Sequence, residues 1–219
     1  MPENAIVQSL PLREQVADIV RVMILKGELQ NDQPISERSI SQMLNVSTTP
    51  VKEAFRLLQA EGLIYSIPRK GSYVSPTSKA NMKQITFIRS SMEGVAAYYA
   101  AINATQSEID QMTEALEQAG LLLNDPDKRQ ELGDFNTLFH TILRNASRND
   151  YLINLLKSLR SIDHSLRSVN FNLTTLDPAQ DHLEHLAILD AVRDRDPDRA
   201  EQSIIKHIRR VARTVLDRK

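Results

Sequence analysis

Residues 34–64 read PISERSISQMLNVSTTPVKEAFRLLQAEGLI, and the fold of the first third of the chain follows from this stretch. Ser36 can cap a short helix running to about Leu44, with Ile40, Met43 and Leu44 on its inner face. Asn45 and Val46 make a tight turn. Ser47, Thr48, Thr49 and Pro50 then open a second helix: hydroxyls to cap unpaired N–H groups, and a proline where no donor is missed. This helix runs to about Glu61 with Val51, Ala54, Phe55, Leu57 and Leu58 inward, and Gly62 stops it.

Upstream, residues 11–27 carry Val16, Ile19, Val20, Met23 and Ile24 at helical spacing, ended by Gly27, followed by a loop holding Asn31, Asp32 and Pro34. Downstream, Ile64–Ile67 and Ser72–Val74 are β-prone and joined by Pro68, Arg69, Lys70 and Gly71. Three helices and a basic-tipped hairpin predict a winged helix-turn-helix over residues 9–76. Residues 77–80 are expected as a polar linker. From 81 to 218 the pattern predicts an all-α bundle of about six helices, broken near Asn103–Thr105, Asn124–Pro126, Asn149–Asp150, Asp177–Pro178 and Asp196–Pro197. The apolar series Met82, Ile85, Ile88, Met92, Val95, Tyr99 and the series Ile204, Ile208, Val211, Val215 are expected to pack in its core. The fold class is therefore mainly α.

The chain has 219 residues, 41% hydrophobic and 25% charged, an ordinary globular composition. It has no cysteine, which excludes disulfides and thiolate metal sites. The opening MPENAIVQSL lacks a basic-then-apolar secretion pattern, and no apolar run reaches the roughly 18 residues of a membrane span. A cytoplasmic protein with no membrane partner is expected. Net charge is −1, with nine Lys/Arg against eight Asp/Glu in residues 1–80. A polycation is excluded, so DNA contact must come from local placement of charge.

A DNA-reading helix offers its N-terminal residues to base edges while its apolar back stays packed. The outward candidates are Ser47, Thr48, Thr49 and Lys52, with Arg56 a turn further on. Arg38 is placed to reach phosphate or base, and Arg69 and Lys70 sit at the wing tip.

On PISERSISQMLNVSTTPVKEAFRLLQAEGLI and PRKGSYVSP, residues 10–76 resemble the DNA-binding domain of the GntR family. The resemblance implies DNA contacts at Arg38, Thr48, Lys52 and Arg69, with Gly71 on the wing turn. The family usually carries arginine at positions 48 and 52. Losing two forked guanidiniums implies an operator that differs from the common family half-site.

Five histidines occur, all in the helical half: His140, His164, His182, His185 and His207. His185 and His207 lie eleven residues on either side of Asp196. If their helices fold back as a hairpin, the two imidazoles reach the same height to within about 1.5 Å, while His182 is roughly 4.5 Å off that level. Asn136 and His140, four apart, share one helix face. The expected cluster is Asn136, His140, His185 and His207, with His164 and His182 outside it. Three imidazoles suit a divalent transition metal, zinc or nickel first.

IRSSMEGVAAYYAA (88–101), NTLFHTILRNASRNDYL (136–152) and HLAILDAVRDRDPDRAEQSIIKHI (185–208) resemble the FCD effector domain found in a subgroup of GntR regulators. That resemblance implies a metal held by a carboxylate and three histidines, with an organic acid completing the coordination. It falls on the same four positions, with Asn136 where aspartate is usual. Arg89, Glu93 and Arg144 are the candidate effector contacts, Arg89 as a fork for a carboxylate; a local Arg89–Glu93 pair on a solvated face, and a surface position for Arg144, are the plain alternatives.

The function expected is a homodimeric, sequence-specific transcription regulator, a repressor, binding a palindromic operator in double-stranded DNA with an affinity set by a small carboxylate metabolite. The alternative is a metal-dependent hydrolase using the three-histidine cluster. Against it, no carboxylate is placed as a general base, since Glu184 is expected to face away from the cluster.

Overall fold

A computed structural model describes residues 11–159 and 177–217. His164 and the outer ends of the expected domains lie outside the described residues. The chain divides into two compact units, Met1–Asn81 and Met82–Lys219.

The first unit comprises α1 (Leu12–Lys26), β1 (Pro34–Ile35), α2 (Glu37–Leu44), α3 (Thr48–Ala60), β2 (Ile64–Ile67) and β3 (Gly71–Val74). Gly27 closes α1 in the left-handed region at φ 76°, which costs glycine nothing. Ser36 caps α2 by accepting from the Ser39 amide, and Asn45 turns left-handed at φ 51° to end it. The core is assembled from Val16, Val20 and Ile24 of α1, Ile40 of α2, and Val51, Phe55 and Leu58 of α3, all buried. Periodicity places Ile19, Met43 and Leu57 in that core, yet Ile19 and Met43 are exposed and Leu57 is half-buried. An eight-residue helix packed on one side has room for a single fully covered row, and Ile40 fills it.

The sheet contains one strand the pattern did not announce. Residues Pro34 and Ile35, expected as loop, pair antiparallel with β3, giving the order β1-β3-β2. Two residues carry no alternation to read, so only the partner strand reveals them. In the β2–β3 hairpin Tyr65 lies opposite Tyr73, their rings stacked at 5.6 Å, and Tyr65 Oη donates to Asp32. That pairing stiffens the wing.

Helix α4 (Ser78–Asn103) begins in the last residues of the first unit and continues in the second, which also holds α5 (Gln106–Leu121), a 3-10 turn (Pro126–Lys128), α6 (Arg129–Ala146), α7 (Asp150–Ser158), α8 (Pro178–Arg193) and α9 (Pro197–Leu216). No strand occurs there among the described residues. Ser78–Ala80 are helical, not linker: they form the first turn of α4. Thr105 and Glu108 make a reciprocal capping box for α5, while Asp177 and Asp196 cap α8 and α9 ahead of a first-turn proline. α5 packs on α6 and α8, and α8 on α9.

The long α4 departs from expectation in one respect. Ile88, Val95 and Tyr99, expected in the core, are exposed, at 62%, 38% and 42%. Met82 is buried as expected, but beyond it the buried side of α4 is small or polar: Thr86, Arg89, Ser90, Glu93, Ala97 and Ala100. Periodicity finds a helix face but does not say what covers it.

Candidate DNA-reading surface and histidine centre

α3 sits on the first unit with its apolar back against α1 and α2 and its N-terminal turn outward. Ser47, Thr48, Thr49, Lys52 and Arg56 are all exposed, as are Arg38 near the start of α2 and Arg69, Lys70 and Gly71 at the hairpin tip. Ser47 is the N-cap residue of α3, but its side chain makes no capping hydrogen bond. The expected hydroxyl cap is therefore absent, and the amides of the first turn keep their donors for an anion such as phosphate. The tip itself is set by backbone conformation. Gly71 has φ +110°, a region closed to other residues, and Arg69 is left-handed at φ 63°. Lys52 Nζ lies 4.0 Å from Glu37, an exposed pair of little strength.

The orientation of α3 is fixed from behind. Arg21 of α1, fully buried, forks onto Glu61 at the α3 C-cap with Nε and Nη2 distances of 2.8 and 2.6 Å. Neither residue stood out in the sequence, because a pair forty residues apart has no local signature.

In the second unit, α6, α8 and α9 bring His140, His185 and His207 together, all buried. Their facing nitrogens lie within 4.8 Å of one another, and the His140 and His185 Nε2 atoms are 3.1 Å apart. A divalent ion with metal–nitrogen bonds near 2.0–2.1 Å spaces cis ligands by about 3.0–3.4 Å, and the His140–His185 spacing falls in that range. Asn136 is half-buried one turn before His140 on α6. His182 is outside the group: its ring packs against the Gly120 backbone of α5, and burial lowers its pKa.

One turn beyond His140 on α6, Arg144 joins a second ionic group. Glu93 of α4 accepts from Arg89 Nη2 at 3.2 Å and from Arg144 of α6 through Nε and Nη2, at 2.9 and 2.6 Å. Arg89 and Glu93 are buried, not on a solvated face, and Arg144 is largely covered rather than at the surface. The i,i+4 spacing of Arg89 and Glu93 was legible; the meeting with α6 needed the fold.

Glu184 corrects the expectation that it faces away. From α8 it accepts His207 Nδ1–H at 2.8 Å and Arg210 Nε–H at 2.7 Å. Burial alone would push its carboxyl up, but these hydrogen bonds outweigh burial and hold it at about 2. The hairpin levelling that pairs His185 with His207 also sets Asp181 and Glu184 within a turn of Arg210, so a sequence signal existed.

Among the described residues no helix is long and apolar enough to cross a membrane. Residues 12–74 match the pattern of the bacterial regulatory proteins of the gntR family, and residues 84–210 match the FCD domain. The chain is 30% identical over 208 residues to the HTH-type transcriptional repressor RspR of Escherichia coli K12, covering 94% of this chain and 89% of that protein. It is 29% identical to the probable D-xylose utilization operon transcriptional repressor of Paenarthrobacter nicotinovorans, over 89% of this chain and 84% of the relative. Its fold is that of E. coli McbR/YncC, with a TM-score of 0.63 at 20% identity over 92% of this chain and 95% of the other. The two sequence relatives are named as transcriptional repressors, which sets aside the hydrolase alternative. The chain thus belongs to the GntR family, carries an FCD domain, and is a DNA-binding transcription regulator.

Proposed function

We propose that the protein is a homodimeric repressor whose grip on a palindromic operator is altered when a small carboxylate metabolite binds at a metal centre in the second unit. The observation that carries this reading is the burial of three convergent imidazoles, with Arg144 one turn beyond His140 on α6 and paired with the buried Glu93. Three imidazoles whose ring nitrogens converge form a donor set that a divalent ion would use. His140, His185 and His207, with the Asn136 carbonyl oxygen, would hold zinc or nickel; the ion's contribution when bound is a positive centre that a carboxylate can coordinate. Arg89 and Arg144 offer forked donors for the acid, and Glu93 keeps both guanidiniums aimed until it arrives. Repression is supported by the two relatives named as repressors.

At the DNA, Ser47, Thr48, Thr49, Lys52 and Arg56 would face the major groove, with Arg38, Arg69 and Lys70 on phosphate or the minor groove and Gly71 shaping the tip. One such helix covers few base pairs, so two heads are needed. The exposed stripe Ile88, Val95, Tyr99 and Ile102 on α4 supports pairing with a second copy.

The test uses the full chain. Purified protein is assayed for zinc and nickel and footprinted on genomic fragments, with a panel of small carboxylic acids added to the binding reaction. One palindromic site is expected, with at least one acid changing its occupancy. Replacing His140 and His185 together by alanine should abolish that change and leave operator binding intact. A double variant that still responds normally would refute the metal-centred reading.

A further inference from the structure

Asn136 brings an amide, not a carboxylate, to the side of the cluster on α6. A negative charge reaches the histidines from α8, at one remove. Glu184 accepts His207 Nδ1–H at 2.8 Å, with both side chains largely covered. A ring whose Nδ1 donates there can turn only Nε2 toward His140 and His185. The carboxylate is held in turn. Its other oxygen accepts from Arg210 Nε at 2.7 Å and from Gln180 Nε2 at 3.2 Å, while the second arm of Arg210 pairs with Asp181.

Asp181, Glu184 and His207 also lie close enough to hold a cation of their own. The Arg210 guanidinium already spans the two carboxylates, which makes this an ion-pair network instead. Two carboxylates against one guanidinium leave one net negative charge, and the His207 ring is the group it faces.

We propose that Glu184 is the positioning residue of the histidine centre: it fixes the His207 tautomer and supplies, through the imidazole, the anionic character that Asn136 lacks. The proposal rests on reading the cluster as a metal centre. A carboxylate behind a ligating imidazole orients the ring and raises its basicity, and removing such a partner typically costs 10–100-fold in metal affinity, on the order of what is at stake here. Arg210 and Asp181 keep Glu184 from swinging into solvent.

The experiment titrates zinc against a competing chelator in the full chain, for wild type, Glu184→Gln, Glu184→Ala and the double variant Asn136→Asp with Glu184→Gln. Nitrogen chemical shifts of the His207 ring are recorded in the metal-free protein at a pH where the imidazoles are neutral. Glutamine keeps an acceptor but loses the charge, so zinc should bind roughly tenfold more weakly; alanine loses both, and the loss should approach about a hundredfold. Aspartate at 136 restores a first-hand charge and should return the double variant close to wild-type affinity. The wild-type His207 ring should carry its proton on Nδ1, and the Glu184→Ala ring should be a mixture.

Stoichiometric zinc in the wild type with unchanged affinity in both Glu184 variants would overturn the proposal while leaving the metal centre standing. Wild-type protein that takes up no zinc would overturn both. A wild-type His207 protonated on Nε2 overturns the proposal without any substitution, so a variant that fails to fold does not shield it.

Discussion

Glu61→Ala should cripple the DNA-reading unit from a position expected to touch no DNA. The substitution strands the Arg21 guanidinium, which is fully buried and already has Nη1 without a hydrogen-bond partner among the described residues. Removing one side of a buried ion pair costs about 3–5 kcal/mol, because the remaining charge is left uncompensated in a low-dielectric setting. A unit of 81 residues has only about 4–12 kcal/mol of stability in total. Even 3 kcal/mol corresponds to a fall of about 12–24 °C in the melting midpoint of a domain this size. Urea and thermal unfolding followed by circular dichroism should therefore show an early transition for the first unit, with the transition of the helical unit unmoved. Operator affinity should fall with the folded fraction and recover on cooling. Replacing both partners, Arg21→Met with Glu61→Leu, removes the stranded charge and should return stability to within about 1 kcal/mol of wild type. The reasoning is refuted if Glu61→Ala costs less than about 1 kcal/mol, or if the double replacement is as damaging as the single one.

Lys52→Ala should weaken operator binding and lower the slope of log affinity against log salt by about one, as measured by fluorescence anisotropy across a salt series. Gly71→Ala forces a side chain into φ +110°, a strain of roughly 1–2 kcal/mol at the wing tip, and should reduce operator affinity with little change in the melting of the helical unit. Burial lowers the His182 pKa, so the folded state takes up the proton less readily than the unfolded chain. Stability of the helical unit should then fall as pH drops below the unfolded value of 6.5, and His182→Leu should flatten that part of its stability–pH curve in thermal melts.

How much of this was legible in the sequence differs between the two units. In the first, Ser36, Asn45, Pro50, Gly62 and Gly71 act through their own backbone conformation or their nearest neighbours, so each marked its turn or helix end without reference to the rest of the chain. β1 escaped because two residues have no pattern apart from their partner strand. In the second unit the hairpin level of His185 and His207 about Asp196 could be counted, since helical rise is constant, and it led to the centre that α6 completes.

The sequence by itself determined the winged helix-turn-helix, the helix ends marked by caps and prolines, and which histidines share a level, because those depend on interactions a few residues long or on fixed helix geometry. Only the tertiary structure decided that Ile88, Val95 and Tyr99 face outward, that Arg144 meets Glu93, that Arg21 braces α3 through Glu61, and that Glu184 turns to His207. A helix face or a charged side chain has several possible partners, and the choice among them is made by helices brought together from distant parts of the chain, where desolvation makes an unpaired charge too costly to leave.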